Sequence, residues 1–162
     1  MLETDSPPDI ARLVKEKKVI VCCGAGGVGK TTTAAALGLA GARAGRRSLV
    51  LTIDPARRLA QAMGIPELSR EPTPVSFERM REAGVEGGAT LDAWMLNPDV
   101  VFENLVRRLA KSEEQATRIL GSRLFRHLSE LVAGMQEYTA AEALYTLSSD
   151  GKYDLVVLDT PP

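Results

Sequence analysis

Val21–Ala36 reads VCCGAGGVGKTTTAAA. Four glycines (Gly24, Gly26, Gly27, Gly29) fall in six positions between a short apolar run and a lysine followed by three threonines. Gly24–Thr31 fits the pattern G-x-x-x-x-G-K-[ST]. Glycines let the backbone curl so that successive N–H groups converge with no Cβ in the way. The backbone of Gly24, Gly26, Gly27, Val28 and Gly29 can therefore cradle a phosphate chain. A helix starting at Lys30 aims the positive end of its dipole at the same point. Lys30 adds a full charge for the β- and γ-phosphates. The Thr31 hydroxyl is placed to ligate Mg²⁺, and Thr32 can reach the α-phosphate. An ordinary glycine-rich turn needs neither the lysine nor the threonine. The loop by itself separates neither ATP from GTP nor hydrolysis from binding.

Outward from the loop, the chain alternates buried strands with helices. Lys18–Cys23 is short, β-branched and apolar throughout, as a strand buried on both faces should be. A helix is expected before it over Pro8–Lys17, capped by Ser6. Lys30–Ala44 reads as a helix stopped by Gly45. Ser48–Ile53 is a second buried strand. The next helix opens at Asp54-Pro55 and leaves at Gly64. Residues 65–88 are rich in proline and glycine and read as a long loop with at most a helical turn. Thr90–Leu96 alternates as a half-buried strand would. Asn97-Pro98 opens a helix with Val101, Leu105 and Leu109 on one face, and Ser112–Gln115 is a capping box for another. Leu124, Phe125, Leu128, Leu131 and Val132 keep helical spacing up to Gly134, and residues 139–147 form a further helix. Asp150-Gly151-Lys152 turns the chain into a final strand, Tyr153–Asp159. This order predicts an α/β fold: a three-layer sandwich of the P-loop NTPase type, with a mostly parallel sheet and right-handed crossovers. Residues 18–64 and 152–162 form the nucleotide-site core, and about 98–148 a helical insertion.

Two carboxylates stand at C-terminal strand ends, where parallel sheets place their sites. Asp159 closes YDLVVLD, the Walker B pattern of an acid that holds the magnesium shell; the plainer alternative is an acid that merely ends a strand. Asp54 is open between two compatible roles. It is an ordinary N-cap in Asp-Pro, or it orients or deprotonates the water that attacks the γ-phosphate. Arg57, Arg58, His127 and Trp94 are weaker candidates, read as solvated or packing residues, and Met63, Met80, Met95 and Met135 are too scattered for a client groove. The adjacent Cys22 and Cys23 point to opposite faces of a strand, which disfavours a shared metal. They read as small buried residues in a reducing, cytoplasmic location.

Composition narrows the class further. Lys plus Arg number 20 and Asp plus Glu 21, a balance that gives no global attraction to nucleic acid or acidic membrane. Aromatics are only 4%, so Leu, Val and Ala must build the core. No apolar run approaches the roughly 18 residues of a membrane span, and the polar N-terminus is no secretory signal.

GAGGVGKTTTAAALGLAGARAGRRSLVLTIDPARRLAQAMG together with YDLVVLDTPP resembles the arsenical-pump-driving (ArsA-type) anion-transporting ATPases. These are related to the ATPase that targets tail-anchored proteins and belong with MinD and ParA to the deviant-Walker-A class. The resemblance runs over about Lys18–Gly64 and Asp159–Pro162. It implies ATP, Mg²⁺, hydrolysis and a homodimer or pseudodimer meeting across its nucleotides, with a membrane transporter or a protein client as partner. It places Asp54 in the first switch as the water-activating residue and Asp159 at the start of the second. Two departures stand out. The family's second loop residue is a lysine that reaches the partner's nucleotide, and here it is the uncharged Ala25. The family also continues beyond Pro162 with the residues that hold adenine, so the expectation is an N-terminal portion that binds nucleotide weakly. The alternatives are a MinD- or ParA-like positioning ATPase, for which no basic patch or amphipathic terminal helix is visible, and a nucleotide-sensing module of low turnover. A GTPase fits less well: DTPP lacks the glycine of D-x-x-G, and the chain contains no N-K-x-D.

Overall fold

A computed structural model describes residues 9–53, 58–66, 69–85, 89–122, 125 and 136–161. Five strands run through these residues: β1 (Val19–Cys22), β2 (Ser48–Thr52), β3 (Thr73–Pro74), β4 (Leu91–Met95) and β5 (Leu155–Asp159). They form one sheet in the order β1-β5-β2-β4-β3. All neighbours are parallel except β3, which runs antiparallel to β4. The last strand of the chain thus lies between the first two, as α/β crossovers allow. Every residue of β2 and β5 is buried, which explains their unbroken apolar runs.

Side-chain alternation sends the strands' residues to two faces. Val50, Leu91, Ala93, Leu155 and Val157 share a core with α1 (Ile10–Glu16), α2 (Lys30–Arg43), α3 (Arg58–Met63) and α4 (Phe77–Glu82). Leu49, Leu51, Trp94, Val156 and Leu158 pack on the other side with α5 (Pro98–Leu109) and α7 (Gln136–Ser149). Between these two helices in the chain comes α6 (Glu113–Leu120), whose Ser112 cap accepts from Gln115 N at 3.2 Å. The Gln115 side chain in turn accepts from Lys111 N at 2.9 Å, one residue before the cap, so the expected capping box forms only on the Ser112 side. The result is the expected three-layer α/β sandwich of the P-loop type.

Helix α2 decides where the glycine loop sits. Its buried residues are Ala34, Gly38, Gly41 and Ala42, a face made of the smallest side chains. A Cβ on Gly38 would lie 2.2 Å from Val50 Cγ2, and one on Gly41 2.4 Å from Ser48 Oγ. The helix backbone therefore lies almost directly on β2.

Several expectations are corrected. Asp9, not Ser6, caps α1, accepting from Ala11 N at 3.0 Å; Ser6 and Pro8 lie outside the described residues. The stretch 65–88 holds more than a turn. Ser76 caps the six-residue α4, whose Met80 is buried in the core, and β3 tolerates Pro74 because it is an edge strand. Strand β4 does not alternate between core and solvent. It lies inside the sheet with helices over both faces, so its polar Asp92 is buried too, accepting from Tyr153 Oη at 2.6 Å. Leu109 is 73% exposed, so the apolar face that Val101 begins is not covered as far as the end of the helix. Helix α5 buries its first turn through Val100 and Val101, while Arg107 and Arg108 in its last turn pair with Glu103 and Glu142 towards solvent. Phe125 stacks on Phe102 at 5.1 Å; Leu124, His127, Leu128, Leu131, Val132 and Met135 lie outside the described residues.

Candidate phosphate and metal site

The glycine loop runs from the end of β1 to the start of α2, and residues 23–29 are all exposed. Gly27 (φ 78°) and Gly29 (φ 88°) are left-handed, a conformation strained for any residue with a Cβ. Gly29 is also the N-cap of α2 and offers no side-chain cap, so the first N–H groups of the helix stay available to a ligand. Lys30 folds back over the loop, and its Nζ donates to the Ala25 carbonyl at 2.9 Å. The lysine thus bridges the loop at the residue where this chain carries alanine.

Below the loop, one register row crosses the C-terminal ends of four parallel strands: Cys22, Asp159, Thr52 and Met95. By alternation Asp159 and Thr52 point to the α2 face, beneath the first turn of that helix. Thr31 Oγ1 donates to Asp159 Oδ2 at 2.7 Å, joining residues 128 apart in sequence. Thr52 Oγ1 reaches the same oxygen at 3.2 Å. Asp159 is 1% exposed, and its Oδ1 is buried with no hydrogen-bond partner. Thr160 ties the strand end down, its N and Oγ1 both donating to Cys22 O, at 3.1 and 3.0 Å.

These donors suit a hard cation. A hydroxyl and a carboxylate are the oxygen ligands Mg²⁺ takes beside phosphate, and an unpartnered buried carboxylate oxygen is an open ligand position. Among the described residues no three His, Cys, Asp or Glu side chains gather into a metal cluster elsewhere. Cys22 and Cys23 are not the buried pair expected. Cys22 is half-buried and Cys23 exposed, because β1 is an edge strand and Cys23 already belongs to the loop. Burial, then the nearby Asp159 carboxylate, pushes the Cys22 thiol pKa up.

The structure therefore joins Thr31 to Asp159 beneath the loop and lays Lys30 over it, with Thr32 exposed on the first turn of α2. Asp54 and Arg57 lie outside the described residues; Arg58 is exposed. Trp94 packs as expected, its Nε1 donating to Ser69 O at 3.0 Å. Thr52 belongs to no motif of the sequence. Its signal is a hydroxyl at the end of a buried strand, at the position that faces α2.

The family profile described as anion-transporting ATPase matches residues 17–162, nearly the whole chain. The chain belongs to this family. Within it, the chain is 31% identical over 150 residues to "ATPase ASNA1 homolog 1" of Paramecium tetraurelia, covering 90% of this chain and 40% of that protein. To "Putative arsenical pump-driving ATPase 1" of Aquifex aeolicus it is 29% identical over 160 residues, covering 90% and 35%. To "ATPase GET3" of Malassezia globosa it is 27% identical over 158 residues, covering 96% and 43%. The chain thus spans less than half the length of each of these relatives. No helix among the described residues is long and apolar enough to cross a membrane.

Proposed function

We propose that this chain forms the phosphate- and magnesium-binding core of a cytoplasmic ATPase. Its ATP hydrolysis is coupled to rearrangement of a homodimer and moves an anion or a protein client. The observation that carries this reading is the 2.7 Å bond from Thr31 to Asp159, beneath an open G-x-x-x-x-G-K-T loop. Family membership favours ATP over GTP and a transport or targeting role.

In this reading the loop backbone from Gly24 to Gly29 holds the phosphates, and Lys30 exchanges the Ala25 carbonyl for phosphate oxygens. Thr31 and Asp159 hold Mg²⁺, with Thr31 donating its proton to Asp159 Oδ2 while its oxygen lone pair is free for the ion. Bound Mg²⁺ would neutralise charge on the phosphates during transfer. Asp54 orients the attacking water. Ala25 supplies no charge to a partner's nucleotide, so any trans-activation must come from another residue.

Binding of a fluorescent ATP analogue, with Mg²⁺ or EDTA, tests the core of this reading. Bonds to charged groups are worth about 1.5–3 kcal/mol, so Lys30→Ala should weaken binding about 10- to 150-fold. Equal binding by wild type and Lys30→Ala would overturn it. A second reading, a nucleotide sensor of low turnover, is favoured by Ala25 alone. Equal background phosphate release from wild type and Asp54→Asn would select it.

A further inference from the structure

We propose that Thr52 is a positioning residue for Asp159, fixing the carboxylate so that Oδ2 is held by hydroxyls and Oδ1 stays open to a cation. The inference rests on the reading of Asp159 as a magnesium-holding residue.

An aspartate's terminal torsion is soft, with broad wells. One hydrogen bond to one oxygen leaves the carboxylate free to swing and satisfy its other oxygen. Asp159 Oδ2 takes two hydroxyls instead, one from each side: Thr31 from α2 above at 2.7 Å and Thr52 from the neighbouring strand at 3.2 Å. Thr52 stands directly opposite Asp159 in the parallel register, and its Oγ1 also lies 3.5 Å from the Asp159 carbonyl. It is 1% exposed, at a position where valine would fill the same volume with no hydroxyl to desolvate. Burying that hydroxyl is costly unless it is bonded, and among its contacts is the bond to the carboxylate. In that reading Thr31 divides its hydroxyl between the carboxylate and the ion, so a second hydroxyl on Oδ2 adds to the hold on the carboxylate. Thr52 supplies that second hydroxyl from β2, an element separate from the helix that carries Thr31. It also ends the strand that leads, two residues on, to Asp54.

The test compares Thr52→Val and Thr52→Ser. Nucleotide affinity is measured with Mg²⁺ and with EDTA, and unfolding by urea is measured in EDTA. Thr52→Val should cut the Mg²⁺-dependent gain in affinity about tenfold or more, as the loss of a bond to a charged group implies. It should leave the EDTA affinity within twofold of wild type, and Thr52→Ser should restore the gain. In EDTA, the unfolding midpoints of Thr52→Val, Asp159→Asn and the double variant should be non-additive. An unchanged Mg²⁺ gain in Thr52→Val, an equal loss with and without Mg²⁺, or additive midpoints would each overturn the proposal. A wild type that binds nucleotide without any Mg²⁺ gain would instead sink the functional reading. The metal-free cycle would still decide whether Thr52 holds Asp159.

Discussion

Gly38→Ala sets two principles against each other in the helix that carries the phosphate loop. By propensity alone, alanine in a helix interior is about 1 kcal/mol better than glycine. By packing, the new Cβ would sit 2.2 Å from Val50 Cγ2 and 3.2 Å from Leu91 Cδ1. Carbon atoms prefer roughly 3.5–4.0 Å, so the shortfall against Val50 exceeds an ångström. Val50 cannot give way easily: it is fully buried, β-branched and held in the central strand β2. Overpacking of this kind costs typically about 1–3 kcal/mol, and an overlap this deep belongs at the upper end. The net expectation is destabilisation by about 2 kcal/mol. That corresponds to a fall in melting temperature of about 4–8 °C for a chain of this size. Urea denaturation measures it, with the exposed Ala36→Gly as a control that should cost about 1 kcal/mol by propensity alone. In a Val50→Ala background the added methyl has room, and Gly38→Ala should become neutral or stabilising. A Gly38→Ala protein that is more stable than wild type would refute the close approach of α2 to β2, and with it the placement of Thr31 over Asp159.

Other predictions concern groups around the sheet. Tyr153→Phe removes the donor to buried Asp92 and should cost about 1–3 kcal/mol in urea unfolding. Burial, then the bond to Asp92, pushes the Tyr153 pKa above the ordinary phenol value. The raised folded value means that this stability is present below about pH 10, where the unfolded phenol titrates, and fades as pH rises beyond it. Tyr153→Phe should flatten that alkaline limb, and an unchanged limb would contradict the assignment. Alkylation and then peptide mass spectrometry should show exposed Cys23 labelled first and Cys22 slowly. Asp159→Asn should speed the Cys22 reaction, since it removes a charge that raises that thiol's pKa; equal rates in both proteins would show that the two groups do not interact.

Much of the fold was legible because three of its strands are unambiguous, although β1 is an edge strand and only partly buried, not buried on both faces. β1, β2 and β5 are short apolar runs bounded by charge, glycine or turn residues, and the glycine pattern fixes the loop and helix after β1. The elements that escaped are short or silent. Strand β3 and helix α4 are two and six residues long and lie among prolines, so neither offers a full period of hydrophobicity. The packing face of α2 is silent for a different reason: at Gly38 and Gly41 the contact depends on the absence of a side chain. Periodicity counts apolar side chains and cannot register a helix seated through glycine. The Asp92–Tyr153 pair hid the full burial of β4, though not the strand itself, because a buried acid mimics the polar half of an alternating strand.

The two ends of β5 bear on the choice between the two readings of Asp159. Asp154 precedes the strand, keeps 39% of its side chain exposed and is bonded by the Arg47 guanidinium and backbone N–H. Those bonds hold its pKa well below the usual carboxylate range. That is how an acid with a purely structural task is held here: solvated, and paired with a cation. Asp159 ends the same strand under opposite conditions. It is 1% exposed, two neutral hydroxyls share one of its oxygens, and the other has no partner. The lysine of the loop, Lys30, commits its amine to a backbone carbonyl instead. Burying a carboxylate in this way costs free energy that a strand-ending acid could avoid by turning to solvent. The arrangement makes physical sense if the missing partner is a cation arriving with the phosphates. Asp159→Asn should then be tolerated, or even stabilising, in EDTA while abolishing the Mg²⁺-dependent gain in nucleotide affinity. Marked destabilisation in EDTA together with an intact Mg²⁺ gain would favour the structural role instead.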